Sequence, residues 1–107
     1  MAVDRVKGHL DALLLAVLES GPAHGYAVIE ELQRRSGGAL DLPTGTVYPA
    51  LRKLEDAGWI KGTWSTASGR KRRTYALTAA GRRALASERT AWSAFSGSIS
   101  QVLEQAT

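Results

Sequence analysis

Apolar residues recur along this chain with two spacings, every three to four residues in four segments and every second residue in two others. The first spacing is typical of an amphipathic helix, and the second is typical of a half-buried strand. The pattern therefore predicts four helices, over 7–19, 24–35, 44–57 and 79–105. It also predicts two strands, over 59–65 and 73–78, separated by a basic loop over 66–72 that is too long for a tight turn.

The two sides of the third predicted helix differ in chemistry. Its inner side is apolar, and its outer side collects Gly45, Thr46, Pro49, Arg52, Lys53 and Asp56, with Tyr48 on the flank. Thr44 is the predicted N-cap, and Gly58 ends the helix. Pro49 removes a backbone donor in the second turn, and such departures from local rules are more frequent at functional positions. We therefore expect the inner side to lie in the core and the outer side to face a partner.

The fourth predicted helix carries an apolar stripe that repeats every seven residues and is interrupted by Glu88. A helix of this length extends beyond the core of a small domain, so the far end of the stripe predicts contact with a second chain. The first helix is also strongly apolar, so its apolar side must be buried against other residues. The predicted dimer interface consists of Leu10, Leu14, Trp92, Phe95, Ile99, Val102 and Leu103. The alternative is a fourth helix that folds back on its own domain.

The composition is that of one globular domain. The chain has 107 residues, of which 44% are hydrophobic and 22% are charged. We divide this compact unit into a part over 1–78 and a C-terminal helical part over 79–107. Since there is no run of about 18 apolar residues, we expect no membrane-spanning segment. The absence of cysteine excludes disulfides, thiolate zinc sites and cysteine nucleophiles, and it fits a cytoplasmic protein.

Positive charge is concentrated in one part of the chain. Lysine and arginine number 14 against 10 acidic residues, for a net charge of +4. Residues 52–89 hold ten basic and three acidic side chains, a net +7, whereas the rest of the chain is net negative. Such asymmetry indicates a surface that faces a polyanion, and a solvated basic surface is the alternative.

The order of the elements predicts a mainly α fold with a small β-hairpin, a winged helix-turn-helix followed by a C-terminal dimerisation helix. In such a fold the outer side of the third helix enters the major groove of double-stranded DNA, where arginine and lysine reach guanine edges. The basic loop of the wing is placed to contact the DNA backbone or the minor groove. The predicted DNA contacts are Thr44, Thr46, Tyr48, Pro49, Arg52, Lys53, Arg70, Lys71 and Arg72.

Three segments resemble the PadR family of winged-helix transcriptional regulators. They are Ala23–Tyr26 at the start of the second helix, Gly45–Glu55 followed by Gly58, and Gly69–Thr78 followed by Gly81. Ala76 departs from the family's wing pattern, which has a second tyrosine there. The resemblance implies a homodimer, joined through the fourth and first helices, that binds an inverted repeat and usually represses transcription. It also implies that Tyr48, Arg52 and Lys53 contact DNA together with the wing.

The single C-terminal helix resembles that of family members which sense planar aromatic or lipophilic compounds at the dimer interface. In some of those members a tryptophan of this helix stacks on the ligand, and Trp92 stands at the matching position. The resemblance therefore implies Trp92 as a contact for a small aromatic or lipophilic effector. A second role stays open for this side chain, that of filling the dimer core.

Two other binding functions compete with a DNA-binding regulator. A winged helix can bind a partner protein through its third helix, or it can sense a small molecule with little DNA specificity. Thr46, Arg52 and Lys53 argue against a protein-binding surface, which would be apolar or acidic, whereas Asp56 favours one. The asymmetry of charge favours DNA.

The sequence does not indicate an enzyme. His9 and His24 stand alone, without a carboxylate or a second histidine at metal-binding spacing. Ser68–Lys71 matches the pattern S-x-x-K, but the other motifs of serine acylation are missing. We therefore predict no catalytic residue, no metal site and no cofactor.

Overall fold

The computed structural model describes residues 6 and 8–105, and this part of the chain forms a winged helix-turn-helix with a long C-terminal helix. The elements in chain order are α1 (Leu10–Glu19), β1 (Ala23–His24), α2 (Gly25–Arg35), α3 (Thr44–Asp56), β2 (Ile60–Ala67), β3 (Arg70–Leu77) and α4 (Ala79–Leu103). The predicted mainly α fold with a small hairpin is confirmed. Lys7, the predicted start of the first helix, lies outside the described residues.

Side chains cap two of the helices. The Nδ1 atom of His24 accepts a hydrogen bond from the backbone N–H of Ala27 at the start of α2, at 3.3 Å. The hydroxyl oxygen of Thr78 accepts one from the N–H of Gly81 at the start of α4, at 3.0 Å. Each bond satisfies a donor that has no partner within its helix, so each stabilises the boundary at which it lies.

The predicted N-cap of α3 is wrong by one residue. Pro43, not Thr44, precedes the helix, and it provides no side-chain cap. Its extended backbone directs its carbonyl oxygen to accept hydrogen bonds from the N–H groups of Thr46 and Val47, at 3.0 and 3.1 Å. Thr44 is consequently the first residue of the helix, and its side chain is exposed.

The core lies where α1, α2, α3 and the first half of α4 meet one face of the sheet. The side chains that are less than 2% exposed are Leu14, Leu15, Leu18, Val28, Leu42, Val47, Leu51 and Leu54, together with Ile60 and Leu85 beyond α3. Val47, Leu51 and Leu54 confirm the predicted inner side of α3. Leu42 lies in the irregular segment between α2 and α3 and inserts its side chain into the core. No helix within the described ranges is long and apolar enough to cross a bilayer.

The sheet has three antiparallel strands in the order β1-β3-β2, one more than the sequence pattern predicts. In the added strand, Ala23 pairs with Tyr75 and His24 pairs with Thr74. Two residues are too few to show an alternating pattern in the sequence. The strand β1 forms because its backbone pairs with the free edge of β3. The pairing attaches the start of α2 to the wing.

The hairpin is longer and its turn tighter than predicted. Ala67 pairs with Arg70, which leaves Ser68 and Gly69 as a two-residue turn in place of a long loop over 66–72. Both turn residues have positive φ, 52° and 75°. Positive φ at both positions is the property of the type I′ turn, whose twist matches that of paired strands. The basic residues 70–72 therefore lie along β3, while the tip of the wing is uncharged.

Candidate nucleic-acid interface

An open groove of about 1160 Å³ lies between α3, the β2–β3 hairpin and the start of α2. It brings together five of the predicted DNA contacts, namely Tyr48, Pro49 and Arg52 from α3 with Lys71 and Arg72 from β3. Four others lie outside its lining: Thr44, Thr46, Lys53 and Arg70. Of these four only Thr46 is half-buried, and the rest are exposed. The groove thus joins the outer side of α3 to the wing, as a DNA-binding surface of this type requires.

The ring of Tyr48 occupies a position that only glycine at residue 25 permits. A Cβ atom built on Gly25 would lie 2.2 Å from Cε1 of Tyr48, far inside van der Waals contact. Gly25 is buried, whereas the Tyr48 side chain is 43% exposed, so one side of the ring rests on the backbone of α2 and the other faces the groove. The close approach fixes the direction in which the phenol points.

We expect Gly25→Ala to displace the Tyr48 ring and to lower the free energy of unfolding by about 1–2 kcal/mol, within the usual cost of overpacking. The cost stays moderate because an exposed ring can rotate away. A crystal structure of the variant, or ring-proton contacts measured by NMR, reports the displacement.

Gly45→Ala is the matched control for this change, because a Cβ atom at Gly45 meets no atom within 4 Å. It should leave Tyr48 in place and the stability unchanged or slightly raised. A Gly25→Ala variant whose Tyr48 ring keeps its native position would contradict the assignment.

Arg73 braces the hairpin against α3. Its guanidinium donates hydrogen bonds to the Glu55 carboxylate, one of them from Nε at 3.4 Å, and it lies over the ring of Trp64 at 5.2 Å. Gly62 leaves the space for this guanidinium, since a Cβ atom there would lie 2.6 Å from Arg73 Nε. The hydrogen bonds to Glu55 raise the pKa of Arg73. Arg73 therefore holds the wing against α3, and its positive charge balances that of the Glu55 carboxylate beside the groove.

Burial raises the pKa of the neighbouring Tyr75 phenol, and the negative charge of Glu55 adds to the effect. The phenol therefore stays protonated at neutral pH, and its hydroxyl is able to donate a hydrogen bond. It lies in the wall of the groove.

Three of the four cations that line the groove have no carboxylate partner among the described residues. Ion pairs within the described ranges join Arg34 and Arg35 to Glu31, Arg73 to Glu55, and Arg89 to Glu19. Arg52, Lys71 and Arg72 make no such pair with any described residue. Their charge is available to an anionic ligand, which supports a polyanion as the partner of this face.

Sequence reasoning missed several residues of the groove, among them His24, Tyr26, Trp64 and Arg73. His24 and Tyr26 belong to the segment Ala23–Tyr26, which resembles the PadR family at the start of the second helix but carries no predicted site residue. Trp64 and Arg73 pair across β2 and β3, and this register follows from the short turn that the pattern did not predict. A correct assignment of the turn would have placed Arg73 beside Trp64.

A helix-turn-helix whose third helix exposes Arg52 and Lys53, next to a basic two-stranded wing, defines the class of winged-helix DNA-binding proteins. Within that class, the PadR-like family of transcriptional regulators matches residues 14–87, and the chain belongs to this family. It is accordingly a DNA-binding regulator of transcription and not an enzyme.

Individual relatives agree with this assignment. The chain is 38% identical over 68 residues to the transcriptional regulator Rv3488 of Mycobacterium tuberculosis. The aligned residues are 64% of this chain and 61% of the relative. It is similar in structure to a PadR family regulator from Eggerthella lenta, with a TM-score of 0.86 and 27% identity over 99% of this chain and 91% of that one. A PadR family regulator from Clostridium difficile R20291 gives a TM-score of 0.78 and 29% identity over 89% and 98% of the two chains.

The predicted dimer residues divide into two groups. Five of them are exposed on the second half of α4, namely Trp92, Phe95, Ile99, Val102 and Leu103, at 44–77% of their full surface. Leu14 is completely buried in the core of its own chain, so it is withdrawn from the predicted interface. Leu10 is half-buried beside that core. The exposure of the five α4 residues argues against the alternative of a helix that buries its far end on its own domain.

Proposed function

We propose that this chain is a homodimeric repressor that acts in the cytoplasm on an inverted repeat and responds to a small aromatic or lipophilic effector. The observation that carries the proposal is the exposed apolar stripe of α4. Phe95 is 53% exposed and Val102 is 75% exposed, although both lie on the apolar side of a long helix. A soluble chain rarely leaves a continuous apolar stripe in water, and a second copy supplies a self-complementary cover.

Two-fold symmetry of such a dimer relates two copies of α3 and of the wing. A symmetric pair of recognition helices binds two half-sites of opposite direction, so the operator is an inverted repeat. Occupancy of that operator by a protein of this kind blocks transcription from an overlapping promoter, which is why we propose repression.

The proposed effector site lies where α1 and α4 meet. Trp92 lies 5.0 Å from His9 and 6.2 Å from Phe95 between ring centroids, and the Trp92 side chain is 52% exposed. A planar aromatic compound can stack on such rings. The alternative is that the same rings fill the apolar seam between the two copies of α4 in the dimer. Quenching of Trp92 fluorescence by a planar aromatic that also releases DNA would support the effector. Quenching with DNA binding unchanged would favour a small-molecule sensor with little DNA specificity.

Binding to the DNA immediately upstream of the gene for this protein tests the regulatory function. The affinity is measured across a salt series, with scrambled DNA of equal length as the control. A preference of about 10³ or more for the upstream DNA supports a sequence-specific regulator. Equal and steeply salt-dependent binding to both duplexes contradicts sequence-specific action at that site. A reporter gene under the same upstream DNA then gives the sign of regulation.

Arg52→Ala is expected to weaken binding to the operator by about 1–3 kcal/mol, the usual value of one arginine that contacts a base pair. Arg52 is exposed in the groove and has no carboxylate partner among the described residues, so its removal leaves the fold intact. Arg83→Ala, an exposed change on α4 outside the groove, is the control and should bind as the wild type does. Equal loss of affinity on operator and scrambled DNA would instead make Arg52 a phosphate contact.

A further inference from the structure

The hydrogen bond that caps α2 bears on the tautomer of His24. Its Nδ1 atom accepts the hydrogen bond from the N–H of Ala27, at 3.3 Å, so Nδ1 carries no hydrogen. A neutral imidazole has one ring hydrogen, which must then lie on Nε2. The capping bond therefore turns Nε2 into a donor, and Nε2 is the atom on the side of the groove.

That donor faces a second donor. Nη1 of Arg72 lies 3.2 Å from Nε2 of His24, and a guanidinium has five N–H groups and no acceptor. Two N–H groups that point at each other gain no hydrogen bond. Within the described ranges, no carboxylate lies within 4.0 Å of Arg72, so no described carboxylate accepts a hydrogen bond from this pair.

We propose that His24 and Arg72 form a clamp for one phosphate of the DNA backbone, with an anionic oxygen that accepts hydrogen bonds from both side chains. The inference rests on the proposed DNA-binding function. A phosphate fits because it offers acceptors without donors and carries the charge that a guanidinium prefers. Both residues line the groove that contains Tyr48 and Arg52, so the clamp lies on the same face as α3.

The fold holds the two members of the clamp from different elements. His24 ends β1 and pairs with Thr74, two residues along β3 from Arg72. The short strand β1 thereby joins the helix-turn-helix to the wing at the point where both meet the backbone. A contact of this kind sets the position of the protein on the duplex without reading its sequence.

The variant His24→Asn removes the proposed contact with the phosphate but keeps the cap of α2. Asparagine is a good N-cap and its amide oxygen can accept the Ala27 bond, but its side chain is too short to present a donor at the position of Nε2. Arg72→Gln removes the charge of the second member. Arg83→Gln, exposed on α4 outside the groove, is the control for loss of one arginine.

Affinity for the upstream DNA and for scrambled DNA is measured across a salt series for each variant, after thermal unfolding has shown that the fold is unchanged. We expect His24→Asn to weaken binding to both duplexes about tenfold for each half-site, the size expected for one hydrogen bond to a charged group. Its salt dependence stays that of the wild type, because a neutral donor releases no counterion. Arg72→Gln should lower the slope of log K against log salt by about one for each half-site.

The double variant tests whether the two residues share one phosphate. If they do, His24→Asn costs much less in the Arg72→Gln background than alone, since the phosphate is no longer held there. Full additivity would overturn the shared site, and wild-type affinity of His24→Asn would overturn the role of His24. Both results leave the regulatory function standing. A wild-type protein that binds neither duplex would instead overturn the proposed function itself.

Discussion

Gly81→Ala is expected to lower the free energy of unfolding by about 3 kcal/mol, at the upper end of the cost of overpacking. A Cβ atom at this position would lie 2.0 Å from the carbonyl oxygen of Trp59 and 2.8 Å from Cδ1 of Leu77. The carbonyl cannot simply move away, because it accepts a hydrogen bond from the N–H of Thr78 at 3.1 Å. The first turn of α4 must therefore separate from the loop between α3 and β2.

Gly97→Ala is the control in the same helix. A Cβ atom there meets no atom within 4 Å, so the substitution only improves helix propensity and should stabilise the protein by up to about 1 kcal/mol. Urea denaturation followed by circular dichroism measures both variants. Similar stability of the two would show that α4 does not approach the Trp59 carbonyl as closely as described.

Phe95→Asp is expected to abolish the proposed dimer at micromolar concentration. Each dimer would bury two carboxylates in an apolar seam, at a cost of about 3–5 kcal/mol for each uncompensated charge. For two such charges, the dissociation constant of the dimer rises by about 10⁴ or more. Because Phe95 is 53% exposed in the single chain, the substitution leaves the core of the protomer intact. Light scattering or sedimentation equilibrium gives the mass.

Ser93→Asp introduces the same charge on the opposite side of α4 and serves as the control. Ser93 is exposed and lies away from the apolar stripe, so this variant should remain dimeric. A dimer that survives Phe95→Asp at micromolar concentration would exclude the proposed seam. Dissociation of both variants would point to a general effect of negative charge on the helix.

Most of the helical architecture follows from local signals in the sequence. The apolar spacing of α3 and α4 is visible without any tertiary contact, and Gly58 marks the end of α3 by its backbone preference. The stripe through Trp92 and Phe95 indicated an uncovered surface because the helix is longer than a small core can bury. These features depend on residues within a few turns of one another.

The candidate site depends on contacts that the chain makes only after it has folded. The strand β1 is two residues long and exists through its pairing with β3, and the tight turn at Ser68 and Gly69 sets the register that places Arg73 beside Trp64. The correction at Leu14 has the same origin, because a helix pattern marks an apolar side without saying which chain covers it.

The class of fold, the basic segment over 52–89 and the apolar stripe of α4 are thus predictable from the sequence, because periodicity and charge are local properties. The contact of Tyr48 with Gly25, the close approach at Gly81 and the contact of His24 with Arg72 become visible only in the folded chain. Each of them depends on the distance between residues that lie far apart in the sequence. Packing of the core sets those distances, and no pattern of neighbouring residues encodes them.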